Sequence, residues 1–131
     1  MQLTTERLAL VPLDVDRDLA DLHVMFADPL WAEAAFAEPT ADFDASRDRL
    51  AENFSDNGDL TWALRAPGSS DAIGVIGVYS DQGTSTRRLS WYLRRDHWGQ
   101  GLMGEAARVV VDHLLTLPGI DDVGARYRRT G

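Results

Sequence analysis

The 131-residue chain has no cysteine, which removes disulfides, thiolate metal sites and cysteine nucleophiles together. It has no lysine either. All 13 basic residues are arginine, so neither a Schiff-base lysine nor the lysine of a Walker phosphate loop is available. The three histidines (His23, His97 and His113) lack the spacing of a ligand set, and no metal is expected. No apolar run approaches the roughly 20 residues that span a bilayer, so no membrane partner is expected. The start, MQLTTERLAL, has no basic region followed by an apolar block, as a signal peptide would. These absences together lead to the expectation of a cytoplasmic protein.

What is present is apolar and acidic. Hydrophobic residues make up 44% of the chain, enough for a packed core, and the length suits a single domain over residues 1–131. The net charge of −8 argues against nucleic acid as a ligand. The charge is unevenly spread: residues 1–60 hold 14 acids and 4 arginines, and residues 61–131 hold 7 acids and 9 arginines. Such a split suits an anion handled by the second half and a cation by the first.

Periodicity places the elements. Leu3 to Val11 reads as a first strand. A helix runs from a cap at Asp14 or Asp16 to Phe26, with Leu19, Leu22, His23 and Phe26 on one face. Pro29 and Pro39 bracket a short Ala-rich piece. A second helix runs from Asp42 or Asp44 to about Phe54. Strands follow over Thr61 to Ala66, Ile73 to Tyr79 and Thr86 to Leu93, joined by turns at Pro67–Ser70 and Asp81–Gly83, which implies an antiparallel meander. The longest helix covers about Gly101 to Leu117. Its apolar stripe is Met103, Ala106, Ala107, Val110, Leu114 and Leu117; Glu105, Arg108 and Asp112 face the other way, at pairing distance. Asp122 to Arg126 begins a last strand. The expected class is α+β, in layers: a mixed, mainly antiparallel sheet flanked by helices, in the order β-α-α-β-β-β-α-β.

The stretch Gly99-Gln100-Gly101-Leu102-Met103-Gly104 matches G-x-G-x-x-G, the dinucleotide fingerprint. Its context does not fit that reading. The preceding strands are antiparallel, and only 27 residues follow Gly104, too few for parallel units on both sides of a switch point. The local physics still favours an anion. A helix start leaves four N–H groups without partners. Here no Ser, Thr, Asp or Asn stands ready to fill that gap. Two glycines admit a ligand to the backbone, the helix dipole adds positive potential, and Arg94 and Arg95 lie just upstream.

The run LSWYLRRDHWGQGLMGEAARVVVDHLL, Leu89 to Leu115, resembles the acetyl-coenzyme A motif of the GCN5-related N-acetyltransferases (GNAT), most closely the branch that acetylates ribosomal-protein N-termini. TTERLALVPL near the start and IGVIGV before the motif strand match as well. The resemblance implies a GNAT-like sheet ending after its fifth strand, with the family's C-terminal part missing. It implies acetyl-CoA as co-substrate. The diphosphate would lie on the N–H groups of Trp98, Gly99, Gln100, Gly101, Leu102, Met103 and Gly104, helped by Arg94 and Arg95. The pantetheine arm would pair with the backbone of Trp91, Tyr92 and Leu93. Met103 replaces the family's small sixth residue, and it either crowds the ligand or points into the core.

The implied reaction is direct attack of a primary amine on the thioester in a ternary complex, the acceptor being a protein N-terminus or a small cationic amine. Candidate catalytic side chains are Ser90 and Tyr92 on the motif strand, and the acid that many relatives carry on a later helix has no counterpart here. Glu33 and Glu38 are candidates for attracting a cationic acceptor. The alternative is a non-catalytic acyl-CoA-binding or assembly module. An exposed last strand would also allow a homodimer to complete the sheet.

Overall fold

The computed structural model describes residues 2–54, 60–66, 68–80, 86–120 and 122–125. The expected turn at Asp56-Asn57-Gly58, the turn at Asp81-Gln82-Gly83 and the end of the last strand from Arg126 onward lie outside them. The described elements are β1 (Leu3–Thr4), β2 (Ala9–Pro12), α1 (Val15–Phe26), α2 (Pro29–Ala34), α3 (Phe43–Phe54), β3 (Thr61–Arg65), β4 (Ala72–Ser80), β5 (Thr86–Leu93), a 3-10 turn at Arg95–His97, α4 (Leu102–Leu114) and β6 (Asp122–Ala125). The strands form one sheet in chain order. β1 to β5 are antiparallel neighbours, and β6 runs parallel to β5 from Thr86↔Asp122 to Leu89↔Ala125. The α+β class and the meander are therefore as the sequence implies. Among the described residues no helix is long and apolar enough to cross a membrane.

Two details differ. The first strand is a hairpin rather than one run. Thr5 closes it: its N–H donates to the Leu8 carbonyl at 2.8 Å, and its Oγ1 accepts from the Leu8 N–H at 3.0 Å. A threonine hydroxyl that satisfies the backbone locally diverts it from the sheet ladder. The Ala-rich piece also forms a helix of its own, α2. Pro29 stands in its first turn, and the Asp28 carboxylate accepts from the Leu30 N–H at 3.0 Å. Among the described residues three α-helices thus precede β3, not two. Just past the C-cap of α2 at Ala35, Phe36 takes φ 56°, a left-handed position usually given to glycine.

Helices cover both faces of the sheet, so the central strands β3 (TWALR) and β4 (AIGVIGVYS) are apolar on both sides. On one face Leu10, Trp62, Leu64, Ile76, Leu89 and Leu93 meet Met103, Ala106, Val110 and Leu114 of α4. On the other, Ala63 and Val75 meet Leu19, Leu22 and Phe26 of α1, Trp31 of α2, and Leu50 and Phe54 of α3. The pleat explains the division, since neighbours such as Trp62 and Ala63 point to opposite faces.

β5 lies against β4 with almost no room. A Cβ added at Gly74 would sit 2.5 Å from the Tyr92 carbonyl oxygen and 3.2 Å from the Leu93 Cα. Both are backbone atoms and neither can swing aside. Gly74→Ala is expected to destabilise the fold by about 2 kcal/mol through overpacking, as read by denaturant unfolding. An unchanged midpoint would show that the two strands separate more easily than this contact implies.

Candidate coenzyme site at the start of α4

The Arg94 N–H still bonds the Ile73 carbonyl at 2.8 Å, so strand pairing persists one residue past β5. The chain then makes its 3-10 turn and reaches Trp98, whose indole wedges between the two cores and donates from Nε1 to the Leu93 carbonyl at 2.8 Å. Trp98 is thus the anchor that holds the loop to the strand end. Gly99 follows at φ 79° and Gly101 at φ 74°, and both conformations favour a residue without a Cβ. Gly101 is the N-cap of α4, with no side-chain cap. The first helical bond runs from the Glu105 N–H to the Gly101 carbonyl at 3.1 Å. The N–H groups of Leu102, Met103 and Gly104 find no protein acceptor among the described residues. The cap the sequence lacks is lacking in the fold too.

The side chains around this loop divide clearly. Leu102 and Met103 are buried against the sheet, so Met103 is core and does not crowd the loop. A Cβ added at Gly104 would meet nothing within 4 Å, so that side of the helix is open. These glycines and bare amides suit a diphosphate, which needs close backbone approach and several N–H donors.

The two arginines that precede the loop in sequence are engaged elsewhere. Arg94 pairs with Asp96 at 3.1 Å. Arg95 Nε reaches Asp28 at 3.0 Å, 67 residues away in sequence, and ties the turn to the cap of α2. That bond is the main cause holding the Asp28 carboxyl below its usual range, against the opposing effect of burial. The cation at the glycine loop is Arg7, which sequence reasoning assigned no role. Its Nη1 donates to the Gln100 carbonyl at 2.9 Å and its Nε to Glu105 at 2.9 Å. Glu105 also accepts from the Arg7 backbone N–H at 3.0 Å and from the Thr5 hydroxyl. The Thr5 bond chiefly, and then the Arg7 bonds, depress the Glu105 carboxyl despite partial burial. Glu105 therefore turns to the β1–β2 turn, and no ion pair joins Arg108 to Glu105 or Asp112 among the described residues. A groove of about 490 Å³ runs beside this contact, lined by Thr5, Arg7, Gly101, Gly104 and Arg108 among others. The one cue for Arg7 in the sequence was its place in the TTERL run.

The candidate catalytic side chains lie on the opposite face from α4. Tyr92 sits edge-on to Trp31 at 5.1 Å and to Phe26 and Phe54 at 5.9 Å each, in an aromatic cluster. Trp31 is buried there, and its Nε1 has no hydrogen-bond partner among the described residues. Ser90 is half-buried opposite Gly77. Trp91 and Leu93 point toward the α4 core. Glu33 and Glu38 are exposed, and the Glu38 carbonyl accepts from Arg49 at 2.6 Å. No cluster of three or more His, Asp or Glu close enough to hold a metal occurs among the described residues.

The model of the acetyltransferase (GNAT) domain matches residues 7–130. The chain belongs to the GNAT acetyltransferase family. Membership implies acyl-CoA-dependent acetyl transfer. Solved structures agree in fold. A GNAT acetyltransferase from Bacillus anthracis superposes with a TM-score of 0.70 at 16% identity, over 88% of this chain and 67% of its own. An acetyltransferase from Agrobacterium tumefaciens gives 0.63 at 25% identity, over 90% and 70%. The RimL ribosomal alpha-N-protein acetyltransferase, solved in complex with coenzyme A, gives 0.63 at 12% identity, over 92% and 71%.

Proposed function

We propose that this GNAT domain transfers an acetyl group from acetyl-CoA to a primary amine by direct attack in a ternary complex, with the diphosphate on the loop Trp98–Gly104. The observation that carries the reading is the start of α4: three amides without protein acceptors, behind two glycines in the left-handed conformation. The acceptor is a cationic amine, a protein N-terminus or a small molecule, drawn by the acidic first half that includes Glu33 and Glu38.

Acetyl-CoA, when bound, supplies an acyl group activated as a thioester, which passes to the amine nitrogen as the thiol leaves. The chain performs three tasks around that exchange. Amides of Gly101 to Gly104 hold and orient the diphosphate. The backbone of Trp91 to Leu93 aligns the pantetheine arm. The amine, with an ordinary pKa near 10, must lose a proton before it attacks, and Ser90 and Tyr92 are the polar side chains of the motif strand nearest that task.

Coenzyme A is expected to raise the melting temperature by several degrees at 100 times its dissociation constant, while NAD and FAD leave it unchanged. Incubating acetyl-CoA with a panel of amines then reads free thiol. Amine-dependent thiol release supports transfer. Binding without release would leave the non-catalytic acyl-CoA module, and protection by NAD or FAD alone would overturn both.

A further inference from the structure

The contact between the β1–β2 turn and the glycine loop joins residues almost a hundred positions apart, and it is built from several bonds rather than one. The Arg7 guanidinium spans the Gln100 carbonyl and the Glu105 carboxylate at 2.9 Å each. Glu105 is held in turn by the Arg7 backbone N–H and the Thr5 hydroxyl. The Thr5 hydroxyl also accepts from the Leu8 N–H at 3.0 Å, so the hairpin turn that presents Arg7 is fixed by the same residue.

The target of Arg7 gives the contact its meaning. Gln100 and Gly101 share a trans peptide plane, and no cis bond occurs in the described chain. In a trans peptide the carbonyl oxygen and the following N–H point in opposite directions. A guanidinium that draws the Gln100 oxygen to one side therefore turns the Gly101 N–H to the other. On its C-terminal side stands Gly101 in the left-handed region, a residue type that populates both signs of φ readily, and Gly99 lies one residue before Gln100. Without a brace, rotation about the Gly101 φ lets this plane turn.

We propose that Arg7 is a positioning residue: with Glu105 and Thr5 it locks the Gln100–Gly101 peptide so that the Gly101 amide faces the coenzyme's diphosphate. The inference rests on the coenzyme reading of the loop, but the brace itself can be tested without ligand. Arg7 acts through the peptide and not as a countercharge, because Glu105 neutralises it. Lysine cannot replace it, since one ammonium does not span both partners in the fork geometry of a guanidinium.

Backbone 15N relaxation on the ligand-free protein tests the brace. In wild type the amides of Gly99 to Gly101 should show order parameters near the rigid value of about 0.85; in Arg7→Met, and in Arg7→Lys, they should fall toward 0.6 or lower. Unchanged order parameters would overturn the inference whatever the coenzyme does. Titration with coenzyme A tests the consequence. Arg7→Met should bind about tenfold more weakly, the worth of one well-placed charge-assisted hydrogen bond. Pantetheine, which lacks the diphosphate, should bind wild type and variant alike; general loosening of the site would weaken both. Glu105→Gln separates the brace from direct charge. A positioning role predicts weaker coenzyme binding, while an Arg7 that touched phosphate itself would bind as well or better once released. Glu105→Gln also carries the test should Arg7→Met not fold. Order parameters that fall as expected in a protein whose wild type ignores coenzyme A would uphold the brace and reject the coenzyme reading.

Discussion

Asp18→Ala is expected to lower stability by about 3–5 kcal/mol, among the largest effects of any single substitution in the chain. Asp18 lies in the first turn of α1 and is fully buried. Its carboxylate takes Arg65 Nη2 at 2.6 Å, Arg17 Nη2 at 2.8 Å and the Asp14 N–H at 3.1 Å. The two arginines are not equal. Arg17 keeps 40% of its side chain exposed and regains water if the pair breaks, whereas Arg65 keeps only 12%. Arg65 Nε already has no partner among the described residues, so loss of Asp18 leaves the guanidinium buried without its counter-ion. That uncompensated charge, more than the lost attraction, sets the size of the effect.

The pH dependence follows with a definite sign. Burial alone would push the Asp18 carboxyl up, but the Arg17 hydrogen bond, the Asp14 N–H and the charges of Arg17 and Arg65 outweigh it and hold the carboxyl below its ordinary value. A carboxyl depressed in the folded state contributes stability that is present above its unfolded value and lost as pH falls through the folded one. Urea unfolding of wild type and Asp18→Ala should therefore differ by a constant amount from pH 7 down to about pH 4, and converge below it. A difference that grows on acidification would mean that the carboxyl is held above its ordinary value, and the ion pair would then not be the source.

Gly101→Val is expected to weaken coenzyme A binding about 100-fold, on the order of 2–3 kcal/mol. Gly101 caps α4 at φ 74°, where a β-branched residue is strained whatever the space around it. The loop must relax to a negative φ, and that rotation turns the neighbouring amides away from a common point. Two aligned charge-assisted bonds lost at roughly 1.5 kcal/mol each give the magnitude. Gly119→Val is the control: Gly119 lies past the end of α4 at φ 80°, with nothing within 4 Å of an added Cβ, so the same kind of backbone strain is introduced away from the loop and coenzyme A binding should be unchanged. If Gly101→Val bound coenzyme A like wild type, the left-handed turn would be a strand-to-helix corner only.

The features legible in the sequence are the local ones. A cap at Asp14 or Asp16 and the face Leu19, Leu22, His23 and Phe26 predict α1; the structure puts the cap at Asp14 and buries Leu19, Leu22 and Phe26, with His23 half-buried. The missing cap before Leu102 pointed to the candidate coenzyme loop for the same reason: capping is settled within four residues. What escaped notice depends on distant partners. Arg95 stands beside the loop in sequence, yet Asp28, 67 positions away, takes it, while Arg94 pairs with Asp96 only two positions on. Glu105 has the spacing to pair along its own helix, yet Thr5, 100 positions away, and Arg7 take it. Arg7 was invisible as a loop residue because the hairpin that delivers it comes from the Thr5 hydroxyl, which looks from sequence like one more polar position in a strand. Met103 shows the intermediate case: its place in the motif left two orientations open, and packing against the sheet decided for the core.

The central claim is that the amides at the start of α4 receive a coenzyme's diphosphate. Titrating 15N-labelled protein with coenzyme A while following each backbone amide addresses it directly. The resonances of Gly101, Leu102, Met103 and Gly104 are predicted to move farthest and to saturate together. Coenzyme A that binds while those four stay in place, or that moves no resonance at all, would contradict it.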